Sequence, residues 1–401
     1  MSKIKMNRKV WQMNQKIFKS TAIILSLALS LSLTGCWDNH EMDTLFIVTG
    51  VALDTAEQKD QVDITLEIGK AKSKGEGESS GKKDSSVMLN ITSNSMMQGL
   101  MEINQNSSRT LLLQHNQLIL MGEDFAKQGV KERIDLFMRD QEARMEVLVL
   151  VAEGKAGEVL SAKVDQEDIT SMYLSRVMHD HGAVSPYYRT RMLDFVSRVL
   201  HETSAPVAPL ITLVKKDDKE EIKVIGTAVF KDDKMVGKLD GEQTQGYVWA
   251  MGEVGRSSMI AKSQFGSAVL RIEELNTKPE VLFEPDGKVK LRLAIKTQLS
   301  IGELQGFANM PPLEVMPILE EMARQQITGQ ISATFDKAQE LGTDIYELGT
   351  MIYRKHPKQW HTIKDRWDEI FSQMPLEIEV EVKLPETGQI IKSLEMEGTT
   401  P

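Results

Sequence analysis

Hydrophobic and polar positions change period several times along this chain. Residues 45–53 (LFIVTGVAL) are apolar and β-branched almost throughout, the pattern of a buried strand. Residues 61–68 alternate instead. Val62, Ile64, Leu66 and Ile68 share one face and Asp63, Thr65 and Glu67 the other, which predicts a half-buried strand. Residues 70–86 hold Gly, Ser, Lys and Glu with no large apolar side chain and read as a mobile loop. A strand resumes over 87–92. From Ser95 the period lengthens to that of a helix, through Met97, Leu100, Met101 and Ile103. Strands are then predicted at 117–121 and 147–152. Helices are predicted from Glu123 to a stop at Gly129, and over 130–138, 169–177 and 191–200.

Pro206 and Pro209 mark a passage. Strands follow at 210–214, 222–230 and 235–239, with Asp217-Asp218 and Asp232-Asp233 at turns. Beyond them the pattern predicts strands at 265–272, 280–283 and 289–299, with Glu284-Pro285-Asp286-Gly287 as a hairpin turn. A long helix begins near Pro311-Pro312. Leu319, Met322, Ala323, Ile327, Ile331, Phe335, Ala338 and Leu341 recur at three- and four-residue steps, a single apolar stripe suited to packing on the chain's own sheet. Pro357 opens a helical stretch on which Trp360, Ile363, Trp367, Ile370 and Phe371 share a face, and 376–384 alternates as a last strand. The pattern defines an α+β, multidomain protein with mixed or antiparallel sheets and flanking helices, including a long amphipathic helix in its C-terminal domain. Its parts are an N-terminal α+β domain over 36–205 with the mobile loop 70–86, a strand-rich connecting region over 206–240, a C-terminal α+β domain over 241–395 and a tail over 396–401.

Residues 1–35 follow a different logic. Lys3, Lys5, Arg8, Lys9, Lys16 and Lys19 precede thirteen residues, 21–33, made of Ile, Leu, Ala, Ser and Thr. As a helix these rise about 20 Å, short of the roughly 30 Å hydrocarbon core of a bilayer. Leu33-Thr34-Gly35-Cys36 closes the segment and contains the only cysteine of the chain. The three parts together read as a lipoprotein signal. Cleavage after the Leu33, Thr34, Gly35 lipobox removes 1–35, and Cys36 carries an S-diacylglycerol; acylation of its α-amino group stays open. An ordinary signal peptide with a chance cysteine and an uncleaved anchor are the alternatives.

The whole chain carries a formal charge of −10, and the leader holds six cations and no acid, so 36–401 stands near about −16. Such a surface gains nothing from nucleic-acid phosphates or anionic lipid. No nucleic-acid partner is expected, and attachment to a membrane must rest on the lipid.

Candidate chemistry is sparse. Gly75-Glu76-Gly77-Glu78-Ser79-Ser80-Gly81-Lys82-Lys83 is superficially like a phosphate loop, but its glycines are one residue too far apart and Lys83 stands where Ser or Thr should hold magnesium. His179-Asp180-His181 is the sole histidine cluster, and its i, i+2 spacing does not suit two ligands on one helical face. His40, His115, His201, His356 and His361 are scattered. There is no Gly-x-Ser-x-Gly, Ser-x-x-Lys or His-Glu-x-x-His, and with Cys36 taken by lipid no thiol remains for a nucleophile, disulfide or metal. No catalytic residue, metal or cofactor is expected beyond the covalent lipid, and the chain does not read as an enzyme.

Cys36-Trp37-Asp38-Asn39-His40-Glu41-Met42, followed by Ile47-Val48-Thr49-Gly50, resembles the mature start of the Ger(x)C family, the C-subunit lipoproteins of spore germinant receptors. Further matches are Arg109 with His115-Asn116 and Gly122-Glu123; Arg139-Asp140 with Glu142 and Arg144; Gly226-Thr227-Ala228-Val229-Phe230-Lys231; and Asp344-Ile345, Gly349, Pro357, Trp360 and Trp367. Gln114, Gln117 and Tyr346-Glu347-Leu348 depart from the usual pattern. The resemblance covers 36–395 and carries no catalytic residue with it. It implies a lipid-anchored protein on the outer face of the spore inner membrane, partnered by integral membrane A-type and B-type receptor subunits. A substrate-binding lipoprotein of a transporter and a cell-wall hydrolase are the competing readings.

Overall fold

The computed structural model describes residues 21, 23, 44–70, 85–139, 144–180, 187–201, 203–217, 219–255, 257–285, 287–307 and 310–385. The chain divides into Met1–Leu45 and Phe46–Pro401. Of the first, only Thr21, Ile23, Thr44 and Leu45 are described, and the account below concerns the second. The Leu33–Cys36 lipobox, the glycine-rich segment 71–84 and His181 lie outside the described residues.

The chain runs β1 (Leu45–Thr55), β2 (Val62–Gly69), β3 (Ser86–Ser93), α1 (Met96–Asn106), β4 (Thr110–Leu112), β5 (Leu118–Gly122), α2 (Glu123–Gln128), α3 (Asp135–Arg139), β6 (Leu148–Ala152), α4 (Ala156–Leu160), α5 (Thr170–Asp180) and α6 (Met192–Leu200). It continues through β7 (Val207–Lys216), β8 (Lys219–Lys231), β9 (Lys234–Leu239), α7 (Gly241–Met251), β10 (Ser258–Ser263), β11 (Gly266–Phe283), β12 (Val289–Gly306), α8 (Pro312–Glu340), α9 (Leu348–Lys355), α10 (Pro357–Ile363), α11 (Trp367–Ser372) and β13 (Leu376–Lys383). Among the described residues these form a nine-stranded sheet ordered β3-β2-β1-β5-β6-β7-β8-β9, with β4 beside β1, and a four-stranded sheet ordered β10-β11-β12-β13.

In the large sheet β1, β5, β6 and β7 run parallel, and antiparallel partners flank them on both sides. The central parallel strands β5 and β6 are covered on both faces, which is why their sequences are apolar without a break. Ile119, Met121, Val149 and Val151 enter one core with α1, α2 and α6, while Leu118, Leu120, Leu148 and Leu150 enter another with α4 and α5. The polar side of β2 is not simply solvated. Glu67 is fully buried, and its carboxylate accepts the Thr170 and Ser171 N–H groups at 2.8 Å, capping the start of α5. Asp54 does the same for α4 through Ala156 and Gly157.

The strand-rich stretch 206–240, set apart in the sequence as a connecting region, supplies β7, β8 and β9 to the large sheet itself. Its prolines begin an edge-ward continuation rather than a linker: Pro209 lies within β7, opposite Thr227 of β8. The two strands expected at 265–272 and 280–283 are one strand, β11. It pairs with β10 only as far as Arg271; beyond that it is a sheet edge, where Pro279 withholds no ladder hydrogen bond. α7 has no amphipathic signature because it is buried around most of its surface; Thr244, Gly246, Tyr247, Val248, Trp249 and Ala250 are all covered. Asp240 and Gln243 close a capping box at its start, and Gly252 ends it at φ 71°. The expected stripe of α8 faces the third core: Leu319, Ala323, Ile327, Ile331, Phe335 and Ala338 pack with Leu270, Leu291, Leu293 and Ile295 of the small sheet.

Candidate functional site

The third core contains Tyr188, Ala205, Val207 and Val229 from the first part of the chain as well as the small sheet and its helices. At that junction lies Arg198 of α6, only 6 % exposed. Its Nη1 donates to Tyr247 Oη at 3.0 Å and to the carbonyls of Ile345 and Ala205 at 3.3 and 3.4 Å. Its Nη2 donates to Tyr188 Oη at 3.0 Å and pairs with Glu347 Oε1 at 2.6 Å. The Tyr188 ring also lies under the guanidinium, 5.5 Å away, and stands edge-on to Tyr247. Burial works against the charge on Arg198, but the phenol oxygens and Glu347 outweigh it and the guanidinium stays protonated. Burial raises both tyrosines above the ordinary phenol range.

Glu347 reaches this position from a backbone at φ 59°, a conformation that few residues other than glycine adopt. The preceding turn holds it there. The Asp344 carboxylate accepts the N–H groups of Tyr346 at 3.1 Å and Gly349 at 2.8 Å, so the entry to α9 is capped from within the loop. Burial pushes the Asp344 carboxyl up to about 6, against the lowering effect of these backbone donors.

Two cavities open on either side of Glu347. One, of about 330 Å³, is lined mostly by apolar groups, among them Leu291, Leu293, Ile331 and Phe335, with Tyr346, Glu347, Thr350, Arg354 and Lys355 as its polar members. The other, of about 410 Å³, is polar and presents Arg191, Asp194, Arg198, Glu253 and Glu347. Met251, Glu347, Thr350 and Arg354 belong to both. Burial raises the carboxyl of Glu253. The arrangement can accommodate an amphipathic group with its polar end toward Glu347 and Arg354.

The singled-out motif residues fall into three groups. Most are structural. A Cβ on Gly50 would meet Ser171 and Leu160, and one on Gly226 would overlap the Leu239 carbonyl oxygen. Gly122 lies against the Asp54 carboxylate, Gly349 against Thr203 and Trp360, and Trp360 stacks edge-on against Trp367 at 5.4 Å. Arg109 covers the Phe46 ring, and Arg139 pairs with Asp135. A second group, Asn116, Gln117, Arg144 and His179, comes from separate segments and lines one small cavity. The third lies outside the described residues: Leu33, Thr34, Gly35 and Cys36, with Trp37, Asp38, Asp140, Glu142 and His181. Sequence reasoning missed the Arg198 node altogether. The available signal was an arginine three residues after Phe195, on the apolar side of an otherwise amphipathic helix.

Two family models match the chain in succession. The model of the spore germination protein N-terminal domain matches residues 38–213, and that of the spore germination B3/GerAC-like C-terminal region matches 225–388. Their shared boundary falls between β7 and β8, which are hydrogen-bonded neighbours here. Spore germination protein KC of Bacillus subtilis (strain 168) is 24% identical over 400 residues, covering 92% of this chain and 96% of the relative. Spore germination protein B3 of the same organism is 25% identical over 370 residues, covering 90% and 96%. The crystal structure of the GerBC protein superimposes with a TM-score of 0.55 at 21% identity, over 84% of this chain and 96% of that one, a likeness of fold. These are multidomain α+β proteins of spore germination. The chain belongs to the Ger(x)C family.

Proposed function

We propose that the chain is the lipid-anchored subunit of a spore nutrient germinant receptor, needed for the assembly or signalling of the complex that triggers germination. The observation that carries this reading is the family match across both halves, 38–213 and 225–388. The relatives reported above are named as spore germination proteins, which leaves the transporter-binding reading without support. The family resemblance supplies the partners, integral membrane A-type and B-type subunits, and the location, the outer face of the spore inner membrane. Physical chemistry supports the anchor. No helix among the described residues is long and apolar enough to cross a membrane. The acidic chain beyond the leader has no electrostatic affinity for anionic lipid, whereas two acyl chains on Cys36 give stable attachment. The junction around Arg198 and Glu347 couples the two halves that would have to move together in a signalling subunit.

Crosslinking in intact spores, followed by mass spectrometry of the tagged full-length chain, tests this directly. Crosslinks to A-type and B-type membrane subunits are expected. Efficient crosslinking confined to soluble coat or cortex proteins would overturn the proposal.

A further inference from the structure

The cavity that gathers Asn116, Gln117, Arg144 and His179 lies at the N-terminal ends of β5 and β6; Arg189 and Arg191 line both it and the polar cavity beside Arg198, but those four residues belong to it and not to the Arg198 cavity, and the receptor role does not explain it. It has a volume of about 200 Å³, and Glu146, Arg189 and Arg191 complete its polar lining. Its floor is fixed by main-chain bonds. Asn116 N–H donates to the Leu113 carbonyl, Gln117 N–H to Thr49, Leu148 N–H to Gln117 and Val149 N–H to Thr190.

Asn116 is 5 % exposed, and neither its Oδ1 nor its Nδ2 has a hydrogen-bond partner. Native proteins leave few buried polar groups in that state, and those they leave ask for an explanation. The neighbouring Gln117 shows the contrast: its Nε2 donates to the His115 carbonyl and its Oε1 accepts from Ser175. The cations are equally telling. Arg191 is engaged by Glu146 at 3.1 Å and Asp194 at 2.8 Å. Arg189 Nη1 lies 3.0 Å from Nδ1 of His179, and the guanidinium, which can only donate, is the donor. Among the described residues no carboxylate forms an ion pair with Arg144 or Arg189. Two exposed guanidiniums without such a pair therefore line one small cavity on a strongly acidic chain.

We propose that this cavity binds a small dicarboxylate carrying a hydroxyl or amino group beside one carboxylate. Arg144 and Arg189 match its two negative charges. Asn116 Nδ2 donates to a carboxylate oxygen. Asn116 Oδ1 can only accept, so it selects a ligand that also offers a donor. A four-carbon hydroxy-diacid has the right size. Fully ionised sulfate, and a diacid without the hydroxyl, leave Oδ1 unpaired.

Calorimetric titration of the full-length chain in detergent micelles tests the assignment with malate, succinate and sulfate as probes. Malate is expected to bind saturably, succinate about tenfold or more weaker, and sulfate without saturation. Asn116→Leu should weaken malate binding about tenfold or more while leaving the melting temperature unchanged or higher, because it removes two unpaired buried polar atoms. An asparagine with a merely structural role would instead lower the melting temperature on that substitution. Arg189→Gln, at an exposed position, should weaken binding about tenfold with the fold intact. The proposal is overturned by no saturable malate binding, by succinate or sulfate binding as well as malate, or by unchanged affinity in Asn116→Leu or Arg189→Gln. An acidic peptide that binds where malate does not would also overturn it and assign the cavity to a protein partner.

Discussion

Asp344 illustrates how a residue can be legible as a motif and opaque in its role. Its spacing from Gly349, Trp360 and Trp367 carries the family resemblance, but nothing in the spacing says that its carboxylate accepts the Tyr346 and Gly349 N–H groups in a buried turn. Because burial raises its carboxyl to about 6, the unfolded chain releases the proton first as pH rises from 3.8. The native state then binds more protons than the unfolded one, and stability falls across that window. Wild-type protein should lose about 2 kcal/mol more than Asp344→Asn between pH 4 and pH 6.5, read as the difference of their denaturant midpoints. Equal slopes would remove Asp344 as the source. Gly226 was readable as part of a matched segment, and the structure gives the reason for a glycine there in the Leu239 carbonyl oxygen. Gly226→Ala should destabilise by about 1–3 kcal/mol in chemical denaturation, since backbone rather than a flexible side chain opposes the new methyl group. A neutral substitution would mean that β8 and β9 can separate there at no cost.

Elements were legible where one face is buried and one is wet. The stripe of α8 is of this kind, and so is the alternation of β2 except at Glu67, which is buried. Ile327 has no exposed surface in the third core, and Ile327→Ala should cost about 2–4 kcal/mol by thermal or urea unfolding. A loss below half a kilocalorie, roughly the scale of surface changes, would mean that α8 is not the main cover of the small sheet. The pattern also revealed β5 and β6, apolar runs buried on both faces, but it failed for one buried helix and one polar strand. α7 is covered on too many sides to show a period, and β10, with Ser258, Lys262 and Ser263 among its six residues, is too polar to announce itself. The break expected inside β11 spans the polar stretch 273–279, which ends in Pro279. The harmlessness of that proline depends on the sheet edge, which is a tertiary fact.

At the scale of the whole molecule, the division into domains was only partly readable. Chain order separates 206–240 from what precedes it, while hydrogen bonding joins β7 to β6 and makes one sheet of both. Arg198 then ties that sheet's helical face to the loop before α9 through Tyr188, Tyr247 and Glu347. Removing one partner of such a buried pair leaves the other charge and two phenols unmatched. Arg198→Met should therefore cost about 3–5 kcal/mol, and adding Glu347→Leu should recover part of it in the double-mutant comparison. The proposed anchor at Cys36 rests on the sequence alone, because a lipobox is local chemistry and needs no fold.

The account's central claim, a receptor subunit in nutrient-triggered germination, is tested most directly by spores that lack this chain and have no redundant receptor. They should fail to germinate with the nutrients that trigger the parent strain, while still germinating under a receptor-independent trigger. Re-expression should restore the response, and a Cys36→Ala chain should not. An unchanged nutrient response in the deletion strain would contradict the claim.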